Sequence, residues 1–316
     1  MRQGGLLVVR GGAVGDFILT LPVLAALRRR FPGAPVTVMG RPGTMELARA
    51  GGLAETLLSI ESRGLAGFLV RDGELDPGLA AQFAGQSLIV SYLYDPEGIF
   101  RENLGRCSRA RLLTGPSRPD ESLPVHAADA LFAPLLPLGL PAAPAVPRLR
   151  LPAPPPLPAA PLLAVHPGSG SPRKNWPEAG WGALLSRLAA ETSLRFLLIG
   201  GEAEGDRAAR LAAPLPPART EVAQGLPLVE LARRLAGAGG FVGHDSGITH
   251  LAAALGVPGV VLWGESNLEV WRPRGSDCRI LRDARGLAAL SVEAVASALA
   301  GMLGEIGKLK DGRLKD

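Results

Sequence analysis

Asp16 directly follows the run Gly11-Gly12-Ala13-Val14-Gly15, which itself follows an apolar stretch over residues 6–9 and Arg10. The glycines do not have the Gly-x-Gly-x-x-Gly spacing of a dinucleotide turn, and a carboxylate at this point repels a pyrophosphate. It suits removal of a proton from a hydroxyl, which needs a carboxylate close to the bond being formed. An N-cap role in the helix that follows is compatible with that chemistry.

Three further clusters lie in the second half. Residues 166–177 read His-Pro-Gly-Ser-Gly-Ser-Pro-Arg-Lys-Asn-Trp-Pro. The loop around Ser169, Gly170 and Ser171 offers amides and hydroxyls at close approach to a phosphate, but without the Gly-Lys-Ser/Thr ending of a Walker loop. Lys174 carries the charge. The chain holds 30 arginines and four lysines, and the other three lysines (308, 310 and 315) lie near its C-terminal end. A lone body lysine suggests a point charge rather than a planar fork; the plain alternative is a solvated loop lysine. His166 reads as structural.

Residues 241–250 run from a short β stretch through Asp245, Ser246 and Gly247 into a helix of small residues. Asp245 and Ser246 are N-cap types, and free amides at a helix start favour an anion such as a nucleotide diphosphate. His250 falls about one turn in. Taken alone, a capped helix with an incidental histidine is the plainer reading; beside the 166–177 loop, the anion site is preferred. Glu202, after Gly200-Gly201, can accept hydrogen bonds from a ribose or base. Glu204 and Asp206 read as exposed helix residues, residues 264–267 as a further pocket wall, and Trp176, Trp263 and Trp271 as packing.

The elements that must hold these groups are legible from periodicity. A strand over 6–10, an apolar helical stripe at Phe17, Leu21, Leu24 and Ala25, and strands over 36–39 and 87–92 have the rhythm of a parallel α/β sheet. Pro22 fits either a first helical position or a kink. Ten prolines between 137 and 161 predict an interdomain connection without helix or central strand. The rhythm then restarts: a strand over 162–166, a helix with Pro177 at its first position, strands over 196–199, 241–242 and 260–263, a helical stripe at Leu228, Leu231 and Leu235, and a helix over 248–255. The expected fold class is α/β, with two Rossmann-like domains (1–150 and 160–305) facing a central cleft and a polar tail over 306–316.

Composition narrows the class. Hydrophobic residues are 47% and charged residues 20% of the 316, a globular balance. The longest apolar stretch, 251–263, is broken by Gly256, Pro258 and Gly259 and is too short to span a bilayer; no signal peptide is expected. The net charge of +5 is spread over both halves, with 16 basic and 13 acidic side chains up to residue 155, so no nucleic-acid partner is expected. Cys107 and Cys278, one per half, fit a reducing cytoplasm better than a disulfide framework. No Asp-x-Asp tripeptide or metal-ligand spacing occurs, so no metal and no cofactor are expected.

The segments Gly-Ala-Val-Gly-Asp-Phe-Ile-Leu-Thr-Leu-Pro-Val-Leu (12–24), His-Pro-Gly-Ser-Gly…Lys-Asn-Trp-Pro (166–177), Ile-Gly-Gly-Glu (199–202) and Asp-Ser-Gly-Ile-Thr-His-Leu-Ala-Ala-Ala (245–254), in this order, resemble glycosyltransferase family 9, which contains the ADP-heptose:lipopolysaccharide heptosyltransferases. The resemblance implies a GT-B fold with an N-terminal acceptor domain and a C-terminal donor domain. It implies inverting, metal-independent transfer of heptose from ADP-heptose to the lipopolysaccharide inner core, with a lipid-linked oligosaccharide acceptor at the cytoplasmic face of the inner membrane. By position it makes Asp16 the base and Lys174 a catalytic diphosphate ligand. Ser246 and Gly247 become backbone phosphate ligands, Asp245 the residue orienting that loop, His250 a residue facing the sugar, and Glu202 the adenosine ligand. Ser169, Gly170 and Ser171 line the donor site, and Arg63 and Arg101 are acceptor-side cations. Gly11-Gly12 replaces the Ser-rich turn usual in the family, and Ser169–Ser171 stand where threonine is frequent. These departures leave open another nucleotide sugar or acceptor; a non-catalytic sugar-nucleotide binding protein is the remaining alternative.

Overall fold

The computed structural model describes residues 4–141, 143–152, 160–201 and 205–312, without the side chains of Pro172 and 305–312. The chain divides into two compact units, Met1–Arg150 and Leu151–Asp316.

In the first unit, strands β1 (Gly5–Arg10), β2 (Val36–Gly40), β3 (Thr56–Ser59), β4 (Gln86–Ser91) and β5 (Arg111–Thr114) form one sheet in the order β3-β2-β1-β4-β5. Every pairing is parallel. β1 is buried along its whole length, as a central strand covered on both faces must be, and its run of Leu and Val is the sequence form of that position. Phe68, Phe83 and Phe100 pack edge to face beneath the sheet, with ring centroids 4.9 and 6.0 Å apart.

The second unit repeats the plan with β6 (Leu162–His166), β7 (Arg195–Gly200), β8 (Thr220–Gln224), β9 (Gly240–His244), β10 (Gly259–Leu262) and β11 (Cys278–Leu281). The order β11-β10-β9-β6-β7-β8, again all parallel, is doubly wound. Trp181, Leu184, Leu185 and Leu188 of the helix Glu178–Glu191 pack with Val295 and Leu299 of the last helix against this sheet.

Each sheet reverses its winding once, between β1 and β4 and between β6 and β9. At such a switch point the flanking connections leave in opposite directions and open a crevice at the carboxyl ends of the strands. Asp16 lies after β1, while the 167–177 loop and Asp245 follow β6 and β9. Strand geometry therefore delivers the chemically interesting residues to the two switch points.

Several local expectations change. The first helical stretch splits into Val14–Ile18 and Leu21–Arg30, which puts Pro22 in the first turn of the second helix, where a missing N–H costs nothing. Pro177 is the N-cap of Glu178–Glu191 and not its first residue. Among the described residues the start of the proline-rich connection keeps a short 3-10 helix, Ala133–Leu138, which tolerates Pro137 because its ladder is so brief. The final helix continues to Gly312, into the segment expected as polar tail. Trp176 and Trp263 are buried and Trp271 is half-buried.

Candidate functional site

At the β6/β9 switch point the sequence β9–His244-Asp245-Ser246 turns into the helix Gly247–Ala254. Ser246 is its N-cap: the hydroxyl accepts from the Thr249 amide at 3.3 Å and lies 3.2 Å from the Thr249 hydroxyl. That hydroxyl in turn donates to the His244 carbonyl, so the turn is closed by side chains and the amides of Gly247 and Ile248 stay ahead of the helix's own hydrogen-bond ladder. Ser246, Gly247 and Ile248 are half-exposed. A helix start with accessible amides carries a partial positive charge and is suited to an anion.

Lys174 closes the Ser/Gly loop as the last residue of the 3-10 helix Pro172–Lys174. Its Nζ sits 2.6 Å from Asp245 Oδ2, and the carboxylate is the more buried partner, at 10% against 41% side-chain exposure. The pair links the two loops across 71 residues of sequence. One ammonium proton is engaged by Asp245, and the half-exposed head keeps two more for an oxygen-rich ligand. Ser169 braces its own loop, with its hydroxyl 2.7 Å from Asn175 Oδ1 and 2.9 Å from the Ser171 carbonyl. Gly170 takes φ +68°, a conformation glycine adopts without strain.

His244 organises this site although nothing in the sequence singled it out. Its Nε2 accepts from the Trp176 amide at 2.7 Å, and Nδ1 lies 3.3 Å from the Gly168 carbonyl, to which it donates. The fully buried ring thus pins both ends of the Ser/Gly loop to β9, and it meets Trp181 edge to face at 5.4 Å. Burial pushes its pKa down to about 3, against the lesser upward pull of the Gly168 carbonyl. Arg207, also unremarked in the sequence, holds the Pro167 carbonyl at 3.1 Å. The one textual hint at His244 is its place directly before Asp245.

The depressed His244 pKa has a measurable consequence. The unfolded chain binds this proton near pH 6.5 and the folded chain only near pH 3. The stabilisation is therefore complete above the unfolded value and declines as pH falls from 6.5 toward 3, by up to about 1.4 kcal/mol per pH unit. Thermal melts between pH 7 and pH 4 should show Tm falling, and His244→Gln should have a lower Tm at pH 7 but a flatter slope. Parallel slopes in the two proteins would rule out His244 as the source.

In the first unit Asp16 is the third residue of the helix Val14–Ile18, not its N-cap, which is Ala13. The carboxylate reaches back to the Ala13 amide at 2.9 Å through Oδ2, the acidic half of a capping box. Gly12 makes this possible: its φ is +97°, and a Cβ there would stand 2.6 Å from that same oxygen. Asp16 Oδ1 lies 3.2 Å from Nη2 of Arg10, which is only 2% exposed in its side chain, whereas Asp16 is 28% exposed. Arg10 also donates to the Ser117 carbonyl at 2.8 Å and sits over the buried Tyr92 ring at the end of β4. A buried guanidinium thus fixes the rotamer of a carboxylate whose face stays open to water. Arg10 was missed because it closes an otherwise apolar strand; a charge at that place is the signal that could have found it.

Arg63 and Arg101 follow β3 and β4, so both leave from the same carboxyl edge as Asp16. Both are exposed, and Arg101 reaches Thr114 at 3.5 Å. Arg106, by contrast, is tied to the Gly73 carbonyl at 2.8 Å and serves the loop. Glu202 and Glu204 lie outside the described residues. His250 is buried in the first turn of its helix. Among the described residues no group of three or more His, Cys, Asp or Glu is placed to hold a metal ion, and no helix is long and apolar enough to cross a membrane.

Two doubly wound parallel sheets, each with chemically equipped loops at its switch point, define a GT-B fold. The fold is that of a family 9 glycosyltransferase from Veillonella parvula, with a TM-score of 0.77 at 19% identity over 96% of this chain and 97% of that one. An Escherichia coli heptosyltransferase solved with ADP superposes with a TM-score of 0.71 at 20% identity, covering 94% and 99%. In sequence, lipopolysaccharide heptosyltransferase 1 of Pseudomonas aeruginosa is 43% identical over 110 residues, a match spanning 35% of this chain and 30% of that protein. The family model "Glycosyltransferase family 9 (heptosyltransferase)" matches residues 119–295. The chain belongs to glycosyltransferase family 9.

Proposed function

We propose that this protein transfers heptose from ADP-heptose to the lipopolysaccharide inner core, with inversion at the anomeric carbon and without a metal ion. The observation that carries the reading is the Lys174–Asp245 pair beside the Ser246–Gly247 helix start, which joins two phosphate-suited loops at one switch point. The donor identity draws on the relatives: the same Escherichia coli heptosyltransferase has been solved with ADP and with ADP-2-deoxy-2-fluoro heptose.

In this reading the diphosphate lies over the Gly247 and Ile248 amides and against Lys174, with Ser169, Gly170 and Ser171 along the loop, His250 toward the sugar and Glu202 toward the adenosine. The acceptor hydroxyl, steered by Arg63 and Arg101, attacks the anomeric carbon from the face opposite the diphosphate. The new C–O bond forms as the bond to the diphosphate breaks, Asp16 takes the hydroxyl proton, and ADP leaves carrying the electron pair. Lys174 and the helix dipole stabilise that leaving charge, the role a divalent ion would otherwise fill. The first unit is then the acceptor domain and the second the donor domain, acting at the cytoplasmic membrane surface where the lipid-linked acceptor resides.

Purified protein should convert ADP-heptose and a lipid-linked inner-core acceptor to product in excess chelator, at the rate seen with magnesium. Turnover with a different nucleotide sugar but not ADP-heptose would overturn the donor assignment. Loss of activity restored only by added metal would overturn metal independence.

A further inference from the structure

A second concavity lies in the first unit, on a wall built by the helix Leu21–Arg30 and the chain that leads out of the unit. It has a volume of about 510 Å³, the size of a small-molecule site, about 300–1,000 Å³. Leu53, Phe132 and Val146 supply apolar surface, and among the described residues Arg29, Arg148 and Arg150 are its charged lining residues. All three arginines are exposed. Some exposed arginines stand beside a carboxylate, as Arg71 does with Glu97, Arg118 with Glu121 and Arg233 with Glu230. Among the described residues these three have no such partner. Three guanidinium groups without a carboxylate partner around apolar walls suit an anion attached to hydrocarbon, such as a phosphate ester.

We propose that this cavity is a docking site for an anionic glycerophospholipid of the membrane surface, with the phosphate held by Arg29, Arg148 and Arg150 and the glycerol and first methylenes against Leu53, Phe132 and Val146. The site is separate from the two switch points and takes no part in the transfer. It deepens the reading that the protein works at a membrane surface, and rests on it. Guanidinium groups match phosphate oxygens in pairs, and each basic side chain near an anionic surface strengthens attachment roughly fivefold.

The test is flotation of the full chain with phosphatidylcholine vesicles, with and without phosphatidylglycerol. Wild type should bind only the anionic vesicles, and inorganic phosphate should compete poorly because it lacks the apolar part. The triple variant Arg29→Ala/Arg148→Ala/Arg150→Ala should bind roughly 10²-fold more weakly, with unchanged Tm because these side chains are unpartnered. Ala25→Trp, which fills the cavity and keeps every charge, should also weaken binding. A control removing the same net charge elsewhere, Arg71→Ala/Arg118→Ala/Arg233→Ala, should bind nearly as wild type. If wild type ignores anionic vesicles, the membrane-surface reading fails with the site. If wild type binds but the control loses as much as the rim variant, or Ala25→Trp binds normally, only the site fails, and attachment is by diffuse charge.

Discussion

Asp16→Asn should lower kcat by about 10²–10⁴-fold, the usual effect of removing a positioned base, with little change in ADP-heptose affinity. A carboxylate is a weak base, but the acceptor hydroxyl becomes acidic as it bonds to the sugar, so transfer of its proton late in the step suits Asp16. The structure makes the variant less clean than its size suggests. Asn can still accept from the Ala13 amide through its one carbonyl oxygen, yet it removes the negative charge facing the buried Arg10 guanidinium at 3.2 Å. That loss should destabilise the protein by about 1–3 kcal/mol, since a buried group loses its partner. Burial already lowers the pKa of Arg10, and Asp16 is the main influence that raises it.

Stability and catalysis are separated by Arg10→Gln, which breaks the same ion pair but keeps the carboxylate. It should lose comparable stability, and lose turnover only to the extent that Asp16 wanders. Rates measured well below both melting temperatures decide between the roles. Equal turnover losses in the two variants would reduce Asp16 to a structural anchor, as would near-normal turnover in Asp16→Asn.

Lys174→Ala should cost about 10²–10³-fold in kcat, comparable to removal of one preorganised charge donor at a developing anion, and should weaken ADP-heptose binding as well. The pairing with Asp245 enlarges this effect. Without Lys174, the mostly buried Asp245 carboxylate is left unneutralised beside the proposed diphosphate site and should repel the ligand. The double variant Lys174→Ala/Asp245→Asn should therefore recover part of the loss. A double-mutant cycle on donor Kd and kcat measures it. Strict additivity would mean that Asp245 does not shape the charge seen by the donor, and an inert Lys174→Ala would remove the donor-site assignment.

Much of the architecture was legible because strand and helix patterns are local. Continuous apolar runs such as 162–166 mark central parallel strands, and the small-residue helix after Ser246 could be delimited within a residue. The places where the reading slipped are also local but depend on details of geometry. Asp16 was an obvious capping type, but only the backbone path through Gly12 decides that it caps from the third position and not the first. The prolines after 133 forbid a long α-helix but not one 3-10 turn.

By itself, the amino-acid sequence determined which side chains are chemically unusual: a carboxylate behind a glycine turn, one lysine in the body of an arginine-rich chain, and a Ser-Gly helix start. Residue type and short spacing carry that information. Tertiary structure alone decided who meets whom. Lys174 and Asp245 are 71 positions apart, and they pair because β6 and β9 are hydrogen-bonded neighbours although β7 and β8 come between them in sequence. His244 looked like the end of a strand and became the pin of a loop, because its two ring nitrogens reach Gly168 and Trp176 only after that sheet forms. Arg10 is a charge that local rules place in water, yet it is buried, because Asp16, Ser117 and Tyr92 converge on it from three separate segments. Charge pairing and burial depend on distances through space, and strand order sets those distances.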